Sequence, residues 1–357
     1  MNTIAYYISD YGFGHATRSI AIIRNLFKLY NQPDLKVIIC HSFAIDFFKD
    51  SLAGLDVEFR EVDTDVGYIL KPNSMNPDAK RLQDAYLSFV ENWSEKLTVE
   101  KDFLAGRKID LVLSDISPLP FIPASTLGIP SVGISNFTWY TAYTGLVDEH
   151  YLQTFKESYQ HMDYFYSLAA SQEPNWGRVN NHAFGFVSRE VSNNEVKRIL
   201  DKVDPYRKNR VIYFGLGMKV DIDLKSLELW NSENCVFLVS NNVQVDHPNV
   251  IKIPKGYTES QNYIAAADLV ISKAGWGTVS EAILHHKSMM VLNRYVLNED
   301  KNTIDYLTNY HYVTLFDWED LMKLKLNGTF SHQHRYQSNV TNTIEVKRIT
   351  EKLIELL

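Results

Sequence analysis

Two cysteines in 357 residues leave no room for a disulfide framework. Cys40 and Cys235 fall in apolar runs far apart in the chain, read as core strands of different domains. No bond between them is expected, and a reducing compartment is. No run approaches the roughly twenty apolar residues of a membrane span. The N-terminus enters a strand at once, which excludes a secretory leader from the expectation. Basic residues are also scarce: 36 Lys and Arg stand against 43 Asp and Glu, for a formal net charge of −7. No basic cluster is interleaved with aromatics, so nucleic acid is not an expected partner. Low-complexity segments and solenoid-type repeats are missing as well. The expected location is cytoplasmic, and peripheral contact with the inner membrane face is compatible with it.

What is present is alternation. Strands are expected at 3–9, 35–42, 57–62, 109–114, 131–135 and 164–168, with helices between them and the longest helix over 77–105. Residues 188–209 are polar and carry Pro205, as suits a linker. A second alternating series follows, with strands at 211–216, 235–241, 250–254, 269–272, 289–293 and 312–315. Residues 345–357 read as a terminal amphipathic helix. The fold class is therefore α/β, with two Rossmann-like, doubly wound domains. The length and the 45% hydrophobic content are enough for two cores. The expected boundaries are 1–187, a linker over 188–209, a second domain over 210–335, and a terminal helix over 340–357.

Two loops carry chemistry. The first is Asp268-Leu-Val-Ile-Ser-Lys273-Ala-Gly275-Trp276-Gly277-Thr278-Val-Ser-Glu281. Its β-branched run ends in glycines and a helix start from about Thr278. Unpaired backbone N–H groups, the positive end of a helix dipole and glycine's small size make this a phosphate site. Lys273 adds a full charge. Glu281 falls one turn into the helix, where a carboxylate can take hydrogen bonds from a ribose diol. The second loop is Asp10-Tyr-Gly12-Phe-Gly14-His15-Ala-Thr17-Arg18, after the first strand. Ile20, Ile23, Leu26, Phe27 and Tyr30 then follow at helical spacing. The last glycine of a dinucleotide fingerprint is missing, and the next strand ends in Cys40-His41-Ser42 without an acidic residue. A Rossmann cofactor site is not expected.

The stretch Lys273 to Ala282 resembles the donor-site signature of GT-B nucleotide-sugar glycosyltransferases. In plant secondary-product glycosyltransferases the ten places read H-C-G-W-N-S-T-L-E-A. The lipid-linked GlcNAc transferase of peptidoglycan synthesis carries the T-V-S-E found here at 278–281. Gly14-His15 fits the glycine-histidine pair that these enzymes carry after the first strand. The string Gly-Phe-Gly-His-x-x-Arg also resembles the nucleotide-sugar hydrolases of pseudaminic acid synthesis. The resemblance implies the GT-B fold, two domains facing across a cleft, acceptor side first and donor side second.

It further implies roles. His15 would be the base, and Asp115, at the end of a strand, would orient it. The alternatives are a loop histidine that caps a helix or sits in solvent, and a helix-capping aspartate. Gly14 and Trp276 would bind the donor, and Gly215, Gly217, Lys273, Gly275, Gly277 and Thr278 would face its diphosphate. Glu281 would hold the ribose and Tyr257 the base. Met218 stands where relatives have a serine, leaving backbone N–H groups and Lys219. Asp300 and Asn302 would contact donor sugar hydroxyls, with an N-cap cluster as the alternative. Asn136, Phe137, Trp139 and Tyr140 follow another first-half strand and are read from their residue types as acceptor-binding, the three aromatics by stacking, with core packing as the alternative. Asp63-x-Asp65, Asp221-x-Asp223, His285-His286 and His332-x-His334 are not read as metal sites. No cofactor is expected beyond a nucleotide-sugar co-substrate, expected to be a UDP-sugar. The expected reaction is metal-independent, inverting sugar transfer to a hydroxyl acceptor: a sugar, a lipid-linked sugar or a small aglycone. Cell-envelope, polysaccharide or glycolipid synthesis would be its setting. Nucleotide-sugar hydrolysis and a non-catalytic nucleotide-sugar sensor are the two rivals.

Overall fold

A computed structural model describes residues 2–30, 35–217, 223–311, 313–326 and 343–357. Met218, Lys219, Asp221, His332 and His334 lie outside the described residues. Thirteen strands among those described form two parallel sheets. The first holds β1 (Asn2–Ile8), β2 (Leu35–Cys40), β3 (Val57–Arg60), β4 (Leu111–Asp115), β5 (Ser131–Ser135), β6 (Tyr164–Ser167) and β7 (Asn180–Ala183). Its order is β3-β2-β1-β4-β5-β6-β7. The second holds β8 (Arg210–Gly215), β9 (Cys235–Val239), β10 (Val250–Lys252), β11 (Leu269–Lys273), β12 (Ser288–Leu292) and β13 (Val313–Phe316), in the order β10-β9-β8-β11-β12-β13. In each sheet the strand order reverses beside its first strand in sequence, as in the Rossmann arrangement. The expected α/β class is observed.

Local reasons are plain. β1, β4 and β5 lie inside a sheet covered on both faces, so they are apolar along most of their length rather than alternating; Ile4 to Ile8 are all fully buried. The helix Phe13–Leu29 packs Ile20, Ile22, Ile23 and Leu26 inward, while Phe27 and Tyr30 are only partly covered. Cys40 and Cys235 are buried, unpaired and on different sheets.

Two elements depart from the sequence expectation. The long helix over 77–105 is two helices, Ala79–Val90 and Trp93–Gly106. Asn92 leaves the helical region at φ −107° and ψ 37°. Trp93 then packs on Phe89 and Phe155. β7 has no counterpart among the expected strands. It reads Asn-Asn-His-Ala, a polar edge strand that pairs with β6 alone.

The main apolar cluster does not stop at the border between the sheets. It runs from Ile20 and Ile23 through Trp276 and Val279 to Ile349 and Leu353. The helix Thr343–Ile354 buries Val346, Ile349 and Leu353. It lies along the helix Phe13–Leu29, where Asn25 donates to the Thr350 hydroxyl at 3.0 Å. Glu345 accepts from the Gly185 N–H at 2.7 Å. Among the described residues no helix is long and apolar enough to cross a membrane.

Ile349 is fully enclosed, so Ile349→Ala removes about 2–5 kcal/mol of stability through lost burial and an unfilled void. Denaturant unfolding measures it. An unchanged midpoint would mean that the terminal helix is not docked in solution.

Candidate active site

Ligands of open parallel sheets bind outside the carboxyl ends of the strands, where the strand order reverses. In the first sheet that point lies between β1 and β4. In the second it lies between β8 and β11. Both points open on one cavity of about 710 Å³. The loop after β1 lines it with Tyr11, Gly14, His15 and Arg18. Gly215 at the end of β8 and Gly217 beyond it, with Lys273 at the end of β11 and residues 275–278 beyond it, line it from the other side.

His15 sits in the first turn of its helix and is 6% exposed. Its Nδ1 lies 2.9 Å from Asp115 Oδ1, at the end of β4. An ionised carboxylate only accepts, so we assign the proton to Nδ1 and the lone pair to Nε2; Arg18 Nη2 stands 2.9 Å from the same Nδ1. Arg18, one turn along the same helix, holds the same carboxylate through Nε at 2.6 Å and Nη2 at 2.5 Å. It also donates to Asn136 and to Ser135. Burial alone would raise the Asp115 carboxyl, but Arg18 and His15 hold it at about 2. Burial pushes His15 down, Asp115 pulls it up, and Arg18 pushes it down again, for a net lowering. The imidazole is therefore neutral at pH 7 and free to accept a proton.

On the facing side, Gly275 caps the helix Trp276–Leu284, which begins ahead of the expected start at Thr278. The first N–H groups of that helix have no partner within it. Lys273 lies at the end of β11 beneath this turn. Burial and Arg294 lower its pKa, while Asp300 and Glu299 oppose them. Gly217 has φ +95°, and a Cβ there would come within 3.1 Å of the Lys273 side chain. Gly277 approaches the first loop so closely that a Cβ would stand 3.2 Å from the Gly14 Cα. Trp276 turns across the border between the sheets. Its indole N–H donates to the Ala169 carbonyl at 2.8 Å, and the Arg18 guanidinium lies 5.1 Å from its ring.

Two further residues of the second half, Tyr257 and Glu281, line the same cavity. Tyr257 lines the cavity, and its hydroxyl donates to Glu195 at 3.1 Å while accepting from Asn262. Glu281 lines it too, at 5% exposure, with Arg189 2.9 Å from one oxygen. Burial raises the Glu281 carboxyl and Arg189 opposes the rise.

Several expected site residues are elsewhere. Asp300 is fully buried behind Arg294, 2.5 Å away, and Asn302 does not line the cavity. On this helix the acidic residue that lines the cavity is Glu299, whose carboxyl is raised by burial. Helical rotation from one residue to the next turns Glu299 out and Asp300 in. Phe137 and Trp139 are core residues, 1% and 0% exposed, within a cluster of aromatic rings. Asn136 is buried under Arg18, and Tyr140 packs on Trp176. None of the four lines the cavity. The first-half wall is instead Tyr11, Phe13, Asp46, Phe47, Asp50 and Leu70. Phe13, Phe43 and Phe47 form a ring cluster there. Asp65 is buried, with its carboxyl pushed up to about 7 by burial and by Asp10. His286 is exposed, and its neighbour His285 is half-buried. Sequence reading missed the roles of Arg18, Arg189 and Arg294. Arg18 stood inside the first motif, whereas Arg189 lay in a polar stretch with no signal.

No family model matches the chain. Solved glycosyltransferase structures share its fold. UGT71G1 of Medicago truncatula, complexed with UDP-glucose, superposes with a TM-score of 0.62 at 11% identity, covering 99% of this chain and 98% of that one. UGT89C1 of Arabidopsis thaliana gives 0.61 at 12%, covering 99% and 94%. SnogD of Streptomyces nogalater gives 0.55 at 14%, covering 100% and 95%. The architecture is thus that of GT-B glycosyltransferases. In sequence, the chain is 28% identical over 306 residues to the L-arabinokinase of Arabidopsis thaliana. That match takes in 83% of this chain and spans 28% of the length of that relative.

Removing each partner of His15 has opposite signs. Arg18→Met takes away a cation beside the imidazole and raises the His15 pKa; Asp115→Asn takes away an anion and lowers it. NMR titration of the ring protons measures both. Shifts of the same sign in the two variants would contradict the charge arrangement described above.

Proposed function

We propose that this chain transfers a sugar from a nucleoside diphosphate to a hydroxyl acceptor, with inversion at the anomeric carbon. The observation that carries this is the His15–Asp115 pair across one cavity from Lys273 and the helix start at Gly275. In this reading the acceptor oxygen attacks the anomeric carbon as its proton passes to His15 Nε2. The bond from that carbon to the diphosphate oxygen breaks, and its electron pair leaves with the nucleoside diphosphate. Asp115 stabilises the imidazolium that forms. The leaving charge meets Lys273 and the backbone N–H groups of 276–278, donors already in place before reaction. This cationic side stands in for a metal. Glu299 and Arg294, which line the cavity, are the proposed contacts for hydroxyls of the donor sugar. Phe13 and Phe47 offer apolar faces to an acceptor. UDP is the proposed nucleotide, supported by the place of Glu281 one turn beyond the glycine loop and by the UDP and UDP-glucose complexes of fold neighbours. The expected acceptors are sugars, lipid-linked sugars or small aglycones. Fold neighbours are described with quercetin and with pterostilbene.

A second reading has one observation in its favour. The sequence relative at 28% identity is named a sugar kinase, not a glycosyltransferase. A GT-B unit that binds a nucleotide sugar without turning it over would fit beside such an activity.

His15→Ala is expected to lower transfer by about 10²- to 10⁴-fold and to leave UDP binding intact. UDP at one hundred times its dissociation constant should stabilise the wild type by about 2.7 kcal/mol. Nucleoside diphosphate release is then followed with and without an acceptor library, with and without EDTA. Transfer predicts slow release from donor alone and rapid release with the right acceptor, unaffected by EDTA. Fast release from donor alone supports hydrolysis. UDP binding with no turnover under any condition supports the second reading.

A further inference from the structure

Arg189 lies in the segment that joins the two sheets, between Ala183 at the end of β7 and Arg210 at the start of β8. A cation in a connecting segment ordinarily faces water. This one is 1% exposed. It does not line the cavity, yet three residues that do are its partners. Its Nη1 donates to the Thr258 carbonyl. Its Nη2 donates to the Ser260 hydroxyl at 3.1 Å and to Glu281 Oε1 at 2.9 Å. Thr258 and Ser260 belong to the turn ahead of the helix Gln261–Ala266, and Glu281 to the helix Trp276–Leu284. One guanidinium therefore ties together two walls of the cavity. Arginine suits this task because its planar fork serves several acceptors at fixed angles; an ammonium cannot.

Resting on the nucleotide-binding reading above, we propose that Arg189 is the positioning residue of the nucleoside site. It pins one oxygen of Glu281, leaves the other for the sugar hydroxyls, and holds the Thr258 turn against them. The charge setting makes this more than a mechanical tie. Glu281 is buried, and the groups that face it are Arg189 from the connecting segment, Glu259 from the turn, and Tyr213 from β8. Glu259 is itself engaged by Arg24, through contacts of 2.7 and 3.0 Å. Arg189 is thus the one cation bonded to Glu281 among the described residues. Burial and Glu259 favour the neutral acid, and Arg189 favours the carboxylate. A carboxylate accepts charge-assisted hydrogen bonds from hydroxyls, which a neutral acid does more weakly. Without Arg189 the Glu281 pKa rises, so the carboxylate form is lost at a higher pH as pH falls.

The experiment is UDP binding by calorimetry from about pH 5.5 to 8.5 on the full chain, a window that spans the rise expected of a buried carboxyl. The proteins are wild type, Arg189→Met, Arg189→Lys, Glu281→Gln and the double variant Arg189→Met with Glu281→Gln. In Arg189→Met the acid-side loss of affinity should move up by about one pH unit, equal to a tenfold weaker affinity where only the variant is protonated. The gap to wild type should narrow at the alkaline end. Arg189→Lys keeps the charge and should return the acid limb to near its wild-type pH, with a pH-independent loss of affinity from the missing ties to Thr258 and Ser260. Glu281→Gln should bind weakly with no acid limb, and adding Arg189→Met to it should change the profile little. A purely structural tie would give a different pattern. Arg189→Met would then weaken binding by one factor at every pH, and by that same factor whether Glu281 is intact or replaced by glutamine. That pattern overturns the proposal. Should Arg189→Met fail to fold, an acid limb that persists in Glu281→Gln overturns it equally, because Glu281 is then not the group whose protonation weakens binding. No UDP binding by wild type at any pH is the separate failure of the nucleotide reading.

Discussion

Asp115 is a fully buried carboxylate, and the geometry of the cleft follows from how its charge is met. An unpaired charge in that position would be severely destabilising. Two residues of one helix turn, His15 and Arg18, converge on it, and the Ser19 hydroxyl adds a third donor at 3.3 Å. The helix after β1 is thereby fastened to the end of β4, the strand beside it. This is the point at which the strand order reverses, so a bond that satisfies a buried charge also fixes a histidine at the mouth of the sheet.

Arg18 extends the same constraint to the other half. Its guanidinium lies near the face of Trp276, a contact worth about 0.5–2 kcal/mol depending on solvent access. Trp276 is anchored in turn to the Ala169 carbonyl. The near-touching of Gly14 and Gly277 leaves the two loops no side chain between them. A shared apolar cluster, the terminal helix and the Arg24–Glu259 pair brace the arrangement away from the dyad. The dyad and the phosphate-type loop therefore face each other at a separation set by packing, not by either loop alone.

The charges around the cavity are arranged in neutralised sets. Arg18 answers Asp115, Arg294 answers Asp300, and Arg189 answers Glu281. Lys273 has Glu299 and Asp300 in its field but no ion pair among those described. It is the cation best placed to receive an anionic ligand. Each arginine is fixed by more than one partner or by deep burial, so the site is held in shape before any ligand enters.

The chain alone determined a good deal. Alternating apolar runs set the α/β class and the approximate position of nearly every strand, because buried parallel strands must be apolar throughout. Glycines and His15 after one strand, and Lys273 to Glu281 after another, marked both loops, since those chemistries require particular residues at short spacing. Partners distant in sequence were decided only by tertiary structure. Whether Asp300 or Glu299 meets the cavity depends on the rotation of one helix. Whether Phe137 and Trp139 meet an acceptor or the core depends on what packs above them. Arg189 reaches Glu281 across 92 residues of chain. No local pattern encodes that contact, because burial penalises both charges and only the folded whole brings the partner that offsets the penalty.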